Sequence, residues 1–343
     1  MNVLVTGNLG YIGSVLTPLL EDSKYSVTGF DSGYFRDCTL VTTRNAYMQI
    51  IKDIRDVSIT DLIGIDVVIH LAALSNDPVG EIDPILTNSI NFEATVTLAN
   101  LARCAGVERF IYASTQSMYG ISDSNEELDE YASKKNPITA YAKSKWLAEQ
   151  EIFKLSNDNF HVMAFRFATV FGVSPRLRSD IVFNNLMANA FLYKEIRINS
   201  DGTPWRPIIH VQDACKAILA GIIAPTQTVS GKAFNVGYKS GNYTVLQLAQ
   251  NILELLPDCK LSLNNEQLTD NRSYRVSFNR IYSELPEYFH PTWTLSTGAL
   301  ELKNFFEKLE LTSEILLGEK CIRMKKLQQL QALGTLDKEL RTI

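Results

Sequence analysis

The chain has 343 residues, of which 45% are hydrophobic and 21% charged, and its formal net charge at pH 7 is −5. This composition is typical of a globular protein with a large core, and the length allows one large domain with an appendage or two domains. The chain is mildly acidic and contains no block of basic residues, which argues against nucleic acid as a partner.

The cysteines and histidines do not form the patterns of a disulfide framework or a metal site. The five cysteines are scattered without a Cys-X-X-Cys pair, and the four histidines are equally dispersed. No apolar run approaches the ~18 residues of a membrane span. Residues 1–5 lack a basic n-region and resemble a first strand more than a signal peptide. We therefore expect a cytoplasmic protein that binds no metal and does not enter a membrane.

Short apolar runs alternate with amphipathic stretches along the first half of the chain. The runs predict buried strands, and the stretches with helical spacing predict helices. The predicted strands are 3–6, 27–30, 67–71, 109–113, 162–167 and, after a less regular region, 233–236. The predicted helices are 11–21, 85–105, 141–155, 245–256 and a C-terminal segment, 313–341, that we interpret as an extension beyond the compact fold. The alternation predicts a parallel sheet covered on both faces.

The first predicted strand leads into a glycine-rich turn, TGNLGYIG at 6–13, and a helix follows. Glycine permits positive φ and close backbone approach, and the free N–H groups of a helix N-terminus favour a pyrophosphate. Asp31 ends the second strand, about 20 residues after Gly10, where a carboxylate accepts from a ribose hydroxyl. Such a carboxylate repels the 2′-phosphate of NADP. The pattern therefore predicts an NAD site, although Arg36 nearby is a weak signal for a phosphate.

Tyr141 and Lys145 stand four residues apart in a predicted helix, so their side chains share one face. A tyrosine titrates near ~10, which is too high for a general base at neutral pH. A neighbouring ammonium and a positively charged nicotinamide ring would stabilise the phenolate. The same spacing recurs at Tyr131 and Lys135, but that copy precedes Pro137 in an irregular polar stretch and is interpreted as a loop.

Hydroxyl side chains follow the strand predicted at 109–113. Ligands of parallel sheets bind beyond the carboxyl ends of the strands, where Thr115 could hydrogen-bond a reacting oxygen. Ser114 and Ser117 are alternatives, since each could instead satisfy the backbone.

Together these motifs resemble the extended short-chain dehydrogenase/reductase family, the group of nucleotide-sugar epimerases, dehydratases and decarboxylases that includes UDP-galactose 4-epimerase-like enzymes. The resemblance covers most of the chain and rests on TGNLGYIG (6–13), Asp31, DIRD (53–56), HLAA (70–73), Asn91, STQSMYG (114–120), YAKSK (141–145) and RPIIHVQD (206–213). It implies an α/β fold, a Rossmann-type doubly wound parallel sheet with a smaller C-terminal substrate-binding lobe. Residues 1–172 would form the NAD-binding domain, with later returns near 206–237. Residues 173–343 would be mainly the substrate-binding lobe and a helical extension.

The resemblance also implies roles for individual residues. The catalytic residues would be Thr115, Tyr141 and Lys145. The NAD contacts would come from Gly7, Gly10, Tyr11, Ile12, Gly13, Asp31, Asp53, Ile54, Leu71, Ala72, Ala73, Tyr141 and Lys145. A nucleotide-diphosphate sugar would contact Ser75, Thr115, Ser117, Asn185, Leu186, Arg206 and Arg272, with a surface ion pair as the alternative for each arginine. The resemblance further implies a homodimer formed through the helices near 85–105 and 141–155.

The chain departs from the family pattern after Thr115. Dehydratases of the family carry an aspartate and a glutamate there, and decarboxylases keep a glutamate. This chain has Gln116 and Ser117, which cannot form an acid–base pair. Hydride transfer remains, as in an NAD-dependent 4-epimerase with a transient 4-keto sugar or, alternatively, an NAD(P)H-dependent 4-keto-sugar reductase. A non-catalytic cofactor-binding regulator is a remote third reading. The segment 174–180 is also not the usual epimerase loop, and it could contact substrate or form a structural salt bridge.

Overall fold

The computed structural model describes residues 1–43, 47–75, 77–81, 83–122, 126–264 and 273–343. Its strands are β1 (Asn2–Thr6), β2 (Ser26–Asp31), β3 (Met48–Ile51), β4 (Val67–His70), β5 (Arg109–Thr115), β6 (His161–Phe167), β7 (Thr169–Phe171), β8 (Glu195–Ile198), β9 (Trp205–His210), β10 (Lys232–Val236), β11 (Asn242–Thr244) and β12 (Lys260–Leu263). Its α-helices are α1 (Gly13–Asp22), α2 (Asp77–Gly80), α3 (Pro84–Asn88), α4 (Ala94–Cys104), α5 (Ala140–Phe153), α6 (Val182–Tyr193), α7 (Val211–Ile223), α8 (Thr226–Val229), α9 (Val245–Leu255), α10 (Asn279–Glu284), α11 (Leu295–Lys308), α12 (Ser313–Leu317) and α13 (Arg323–Ala332).

The main sheet in the described part of the chain has the order β10-β6-β5-β4-β1-β2-β3, and its strand pairs are parallel. Apolar clusters cover both faces, which is why the strand sequences are apolar at consecutive positions: Val3, Leu4 and Val5 are all fully buried. The predicted α/β fold, a Rossmann-type parallel sheet, is confirmed. The order of strands reverses beside β1, and ligands bind outside the carboxyl ends of strands at such a point.

Two local features differ from the sequence prediction. β3 was not predicted, because this edge strand is only partly buried and its first residue, Met48, is exposed. The helix predicted over 85–105 is α3 and α4 joined by one π-helical turn, Ser89–Glu93. Single π-turns inside helices occur frequently at functional sites.

The second half of the chain builds a smaller layer of structure beside the sheet. Helices α6, α9 and α11 pack together around a third apolar cluster, and short sheets of order β11-β9-β7 and β12-β8 flank them. β10 returns to the main sheet and pairs with β6.

The C-terminal segment, residues 313–343, does not project from the fold. Leu327, Leu336 and Leu340 are buried in the same apolar cluster as Phe30 and Ile54 of the main sheet region. The expectation of an extension beyond the compact fold is therefore wrong, because these leucines cover a surface of the first half of the chain. None of the described helices combines the length and apolar character needed to cross a membrane.

Candidate active site

A cavity of about 690 Å³ opens at the carboxyl ends of β1, β2, β4 and β5. It brings together nearly every residue that the sequence singled out: Gly7, Gly10, Tyr11, Ile12, Gly13, Asp31, Asp53, Ile54, Leu71, Ala72, Ala73, Ser75, Thr115, Ser117, Tyr141, Lys145, Asn185, Leu186 and Arg206 line it. Arg272 lies outside the described residues. The roles of these residues remain predictions.

The glycine-rich turn closes one wall of the cavity. Gly7 has a φ of +74°, and a Cβ there would lie 2.6 Å from the backbone nitrogen of Ala72. A Cβ on Gly13 would lie 2.5 Å from the carbonyl oxygen of Gly7. Any side chain at either position would force the turn apart. The compact turn leaves the N-terminus of α1 facing the cavity, which suits an anionic pyrophosphate.

Asp31 ends β2 and lines the same cavity. Its carboxylate accepts hydrogen bonds from the backbone N–H of Gly33 at 2.8 Å and of Leu9 at 3.1 Å. Burial raises the pKa of Asp31, while these hydrogen bonds act in the opposite direction. A carboxylate fixed in this way retains lone pairs for a ribose hydroxyl.

Asp53 is held by groups of the chain itself. Arg55 donates to its carboxylate from Nη2 at 2.6 Å and from Nε at 3.0 Å, and the Tyr34 hydroxyl oxygen lies 3.1 Å from it. Burial would raise the pKa of Asp53, but the hydrogen bonds and charge of Arg55 outweigh it and lower the pKa. Asp53 therefore lines the cavity as part of an ion pair.

Tyr141 and Lys145 lie on one face of α5 and both line the cavity. The Nζ atom of Lys145 lies 4.2 Å from the centroid of the Tyr112 ring, and the lysine is almost fully buried. Burial lowers the pKa of Lys145 to about 7, although the charge of Glu149 raises it. A buried lysine of this kind gains more than an exposed one from an anion placed beside it.

Buried polar contacts fix the position of α5. Thr139 caps the helix by accepting from the N–H of Ala142 at 3.1 Å. Asn91, in the π-helical turn, donates to Ser144 Oγ at 3.3 Å. Its side chain also accepts from the backbone N–H of Leu74 and donates to the carbonyl oxygen of Leu74. The π-turn thus joins the helix bearing the tyrosine to the loop after β4.

A buried ion pair holds α5 against the sheet. Arg166 Nη2 on β6 lies 2.6 Å from Glu149 Oε1, and Ser114 Oγ donates to the other carboxylate oxygen at 2.5 Å. The Ser114 hydroxyl is engaged in this structural contact. Of the alternatives at this strand end, Thr115 and Ser117 are thus better placed than Ser114 to contact a ligand.

The residues after β5 divide between the cavity and the core. Thr115 lines the cavity, and its oxygen accepts from the N–H of Ser117 at 3.1 Å, which leaves its own O–H available to a ligand. Gln116 is buried on the other side, where its amide donates to the carbonyl oxygens of Arg166 at 2.9 Å and Val236 at 3.4 Å. Gln116 is not among the described residues that line the cavity.

The segment 174–180 contributes a buried cation to the cavity. Arg178 forms a two-pronged ion pair with Asp180 at 2.9 and 2.7 Å and donates to the Ser75 hydroxyl at 3.0 Å. Burial alone would lower the pKa of Arg178, but Asp180 and then the nearby Tyr141 raise it. The structural salt bridge is present, and the contact of this segment with substrate stays a prediction for an arginine that lines the cavity.

Several lining residues were missed by the sequence prediction. Tyr34 and Phe35 follow β2, and Arg323 comes from the first turn of α13. The two aromatic residues follow Asp31 after Ser32 and Gly33 and could have been found as neighbours of the predicted ribose site. Arg323 carries no motif that could have identified it. The described residues contain no cluster of metal-ligating side chains.

The sheet, the glycine turn and the tyrosine–lysine pair at one cavity are the features of a dinucleotide-dependent enzyme. The chain belongs to the NAD dependent epimerase/dehydratase family, whose sequence model matches residues 3–237. The predicted family, the enzymatic character and the predicted cofactor, NAD, are therefore confirmed. The residues fit that cofactor, because the glycine cradle and Asp31 meet at one cavity.

Characterised and named relatives span several activities. A dTDP-D-glucose 4,6-dehydratase of Mus musculus is 28% identical over 84% of this chain and 82% of its own length. An uncharacterized UDP-glucose epimerase of Bacillus subtilis (strain 168), YtcB, is 28% identical over 69% of this chain and 77% of its own length. UDP-glucuronic acid decarboxylase 6 of Arabidopsis thaliana is 26% identical over 82% of each chain. Sequence similarity alone does not choose among these reactions.

Solved structures have the same fold. MoeE5 in complex with UDP-glucose and NAD is 26% identical, with a TM-score of 0.77 over 91% of this chain and 100% of that chain. The UDP-glucuronic acid 4-epimerase of Bacillus cereus, at 22% identity, shares the fold with a TM-score of 0.75 over 90% of this chain and 100% of that one.

Proposed function

We propose that this protein is an NAD-dependent nucleotide-sugar 4-epimerase that acts through a transient 4-keto sugar. One observation carries the choice within the family. The cavity wall presents Thr115, Tyr141 and Lys145, the groups for hydride transfer, while Gln116 is tied into the core and Ser117 is only a hydroxyl. Loss of water or carbon dioxide calls for further acid–base groups, and an amide with a serine does not provide them.

NAD would be held by the turn at Gly7, Gly10 and Gly13, with its pyrophosphate at the N-terminus of α1 and its ribose at Asp31. When bound, it supplies a reversible hydride acceptor for the C4 carbon of the sugar. The same carbon can recover hydride on its other face, so one bound cofactor serves every turnover. The protein is therefore expected to retain NAD tightly.

Tyr141 would act as the base that removes the proton of the C4 hydroxyl. The phenolate of Tyr141 and the ammonium of Lys145 would stabilise each other. Burial disfavours the charged form of the lysine, and an adjacent anion offsets that cost. Thr115 would donate its O–H to the same sugar oxygen. When the keto sugar is reduced again, Tyr141 returns the proton.

The second half of the reaction requires the keto sugar to turn over within the site. A sugar can rotate about its diphosphate linkage if the nucleotide stays fixed. We assign the fixed part to Asn185, Leu186 and Arg206 on the lobe side of the cavity, where a guanidinium suits phosphate oxygens. Ser75 and Ser117 would face the moving sugar.

We further propose an NAD-binding domain of residues 1–172 with later returns near 206–237, a mainly substrate-binding lobe in the rest of the chain without the projecting extension, a cytoplasmic location and a homodimer. The five cysteines are free thiols, as suits a reducing compartment. Helices α3 and α5, at the proposed dimer interface, carry exposed apolar side chains: Ile85 is 83% and Leu147 43% exposed. Association through these helices would cover them.

The test is to purify the protein without added cofactor and to measure bound NAD and C4 epimerisation together. A panel of UDP-, dTDP-, GDP- and CDP-hexoses should be followed by NMR in D₂O. We expect one or more C4 epimer pairs to interconvert with no deuterium on carbon, because the hydride returns without meeting solvent.

Two outcomes would contradict the proposal. A strict requirement for stoichiometric NADH or NADPH, with net reduction of a 4-keto sugar, would make the protein a reductase. Formation of a 4-keto-6-deoxy sugar that carries solvent deuterium would make it a dehydratase.

A further inference from the structure

The C-terminal segment, residues 313–343, lies outside the matched family region, which ends at residue 237. It nevertheless contributes Arg323 to the wall of the cavity on the side of Asp31, which is called the adenosine side because the ribose of NAD is proposed to bind there. Arg323 lines that side together with Asp31, Tyr34 and Phe35. The segment therefore contributes to a site whose recognised motifs lie about 300 residues earlier in the chain.

The segment is anchored on both sides of Arg323. Before it, Ser179 Oγ donates to the carbonyl of Leu316 at 2.7 Å, and Cys38 Sγ donates to the carbonyl of Glu319 at 3.5 Å. After it, the Tyr34 hydroxyl donates to the carbonyl of Leu340, and Arg55 donates to that of Glu339 at 2.9 Å. These contacts fix α13 along the rim.

The tail also shares the Asp53 ion pair. Arg341 lies 3.6 Å from the carboxylate of Asp53 and forms a second ion pair with Asp56. Tyr34 links the Asp53 carboxylate to the Leu340 carbonyl. The residues at the adenosine end and the tail thus form one connected network.

Arg323 is a buried cation that forms no ion pair with a carboxylate of the described residues. It is 4% exposed, its guanidinium lies 4.9 Å from the centre of the Phe35 ring, and it donates to the carbonyls of Arg176 at 2.8 Å and Lys320 at 3.0 Å. No carboxylate of the described residues lies within ion-pair distance of it. Burial, and then the charge of Arg178, lowers the pKa of Arg323 to about 10. A bound anion would relieve this cost.

Two further arginines lie close to Arg323. Arg176 and Arg178 are buried like Arg323, and Arg178 lines the same cavity, as do the less buried carboxylates Asp31 and Asp180. Asp180 is paired with Arg178, and Asp31 accepts from backbone N–H groups. Among the described residues, no carboxylate is paired with Arg323, and guanidinium groups suit phosphate oxygens.

We propose that residues 313–343 form the outer wall of the NAD site and that Arg323 is a cofactor-binding residue that pairs with the phosphate oxygens of the dinucleotide. This inference rests on the NAD site placed under the proposed function. It explains how a cofactor regenerated in each turnover is retained. The segment covers the side from which the adenosine half would leave.

The test compares Arg323→Gln and Arg323→Lys with a control, Lys326→Met, in the full-length protein. Lys326 is a buried cation one turn further along α13 that donates to Gln329 and does not line the cavity. The measurements are the NAD content after purification and the rate at which bound NAD exchanges with labelled NAD. We expect exchange about tenfold or more faster in Arg323→Gln, an intermediate rate in Arg323→Lys, and a rate within about twofold of wild type in Lys326→Met.

Wild-type retention of NAD combined with an unchanged exchange rate in Arg323→Gln would overturn the role of Arg323 and leave the NAD site standing. A wild-type protein that binds no NAD would overturn the site itself. A second measurement needs no variant: hydrogen exchange of α13 in wild-type protein stripped of NAD and then reloaded. We expect NAD to slow exchange at 323–332 and to leave α11 unchanged, and equal rates at 323–332 with and without NAD would overturn the outer wall.

Discussion

The two ends of the cavity are built in different ways. At the reactive end, Thr115, Tyr141 and Lys145 come from one strand end and one helix within about 30 residues of sequence. At the adenosine end, Asp31 and Asp53 meet Arg323 from the far end of the chain. The residues proposed for catalysis therefore lie in short motifs, whereas the wall at the adenosine end depends on a contact between distant parts of the sequence.

The largest effect should come from the reactive end. We expect Tyr141→Phe to lower kcat by roughly 10²- to 10⁴-fold, since it removes the proposed general base. NAD content should remain at the wild-type level, because we propose that the adenosine end holds the cofactor. The measurement is steady-state epimerisation together with the NAD released on denaturation.

The second tyrosine–lysine pair offers a matched control. Tyr131 is exposed, lies 4.0 Å from the guanidinium carbon of Arg280 and is not among the described lining residues. Tyr131→Phe should retain full activity. Full activity in Tyr141→Phe would contradict the assignment, and loss of NAD in that variant would show that the two ends of the cavity are not independent.

A smaller effect is expected at Thr115. Thr115→Val removes an O–H directed at a developing alkoxide, so we expect kcat to fall about 10- to 100-fold. Thr115→Ser keeps the hydroxyl and should retain most of the activity. The melting temperature and the NAD content report on structure, and equal activity in the valine and serine variants would exclude a role for the hydroxyl.

The smallest effect is a pH dependence of stability. The pKa of Lys145 is about 7 in the fold, against an ordinary 10.5. Between these values the unfolded chain binds a proton that the folded chain does not, so the free energy of unfolding rises with pH across this window. Below pH 7 the buried ammonium carries its full cost.

Lys145→Met removes that cost. Its stability relative to wild type should be greatest near pH 6 and should shrink toward pH 10, as measured by urea unfolding. Lys143→Met, at an exposed position of the same helix, should show no such trend. A stability difference for Lys145→Met that does not vary with pH would mean that the lysine is already charge-compensated.

The sequence predicted most of the main sheet, and the three residues that it assigned to catalysis line one cavity, while their roles stay predictions. β1, β4, β5, β6 and β10 are largely buried, so their apolar runs were nearly continuous, and their ends and those of the less buried β2 fell within two residues of the prediction. β3 is half exposed and lacks that signal. The sequence shows that Gln116 is not an acid. Its hydrogen bonds to backbone carbonyls of β6 and β10 depend on the order of the strands, which a single sequence does not display.

The closure of the site was not predictable from the sequence. The leucines of α13 and the tail have the spacing of any amphipathic helix, and nothing in that spacing names Phe30 or Ile54 as their partners. Arg323 sits in a basic stretch that resembles an exposed surface. Its burial follows from tertiary contacts formed with residues near 35 and 176.

The position of Arg323 near the C-terminus has a consequence for biosynthesis. Domains generally begin to fold from the N-terminus during synthesis, so the glycine turn and the parallel sheet can assemble on a nascent chain. Residues 313–343 leave the ribosome after all the other residues of the cavity wall, so Arg323 joins that wall last. A polypeptide truncated by premature termination before Arg323 would keep Tyr141 and Lys145 and yet lack the wall that we propose for the NAD site.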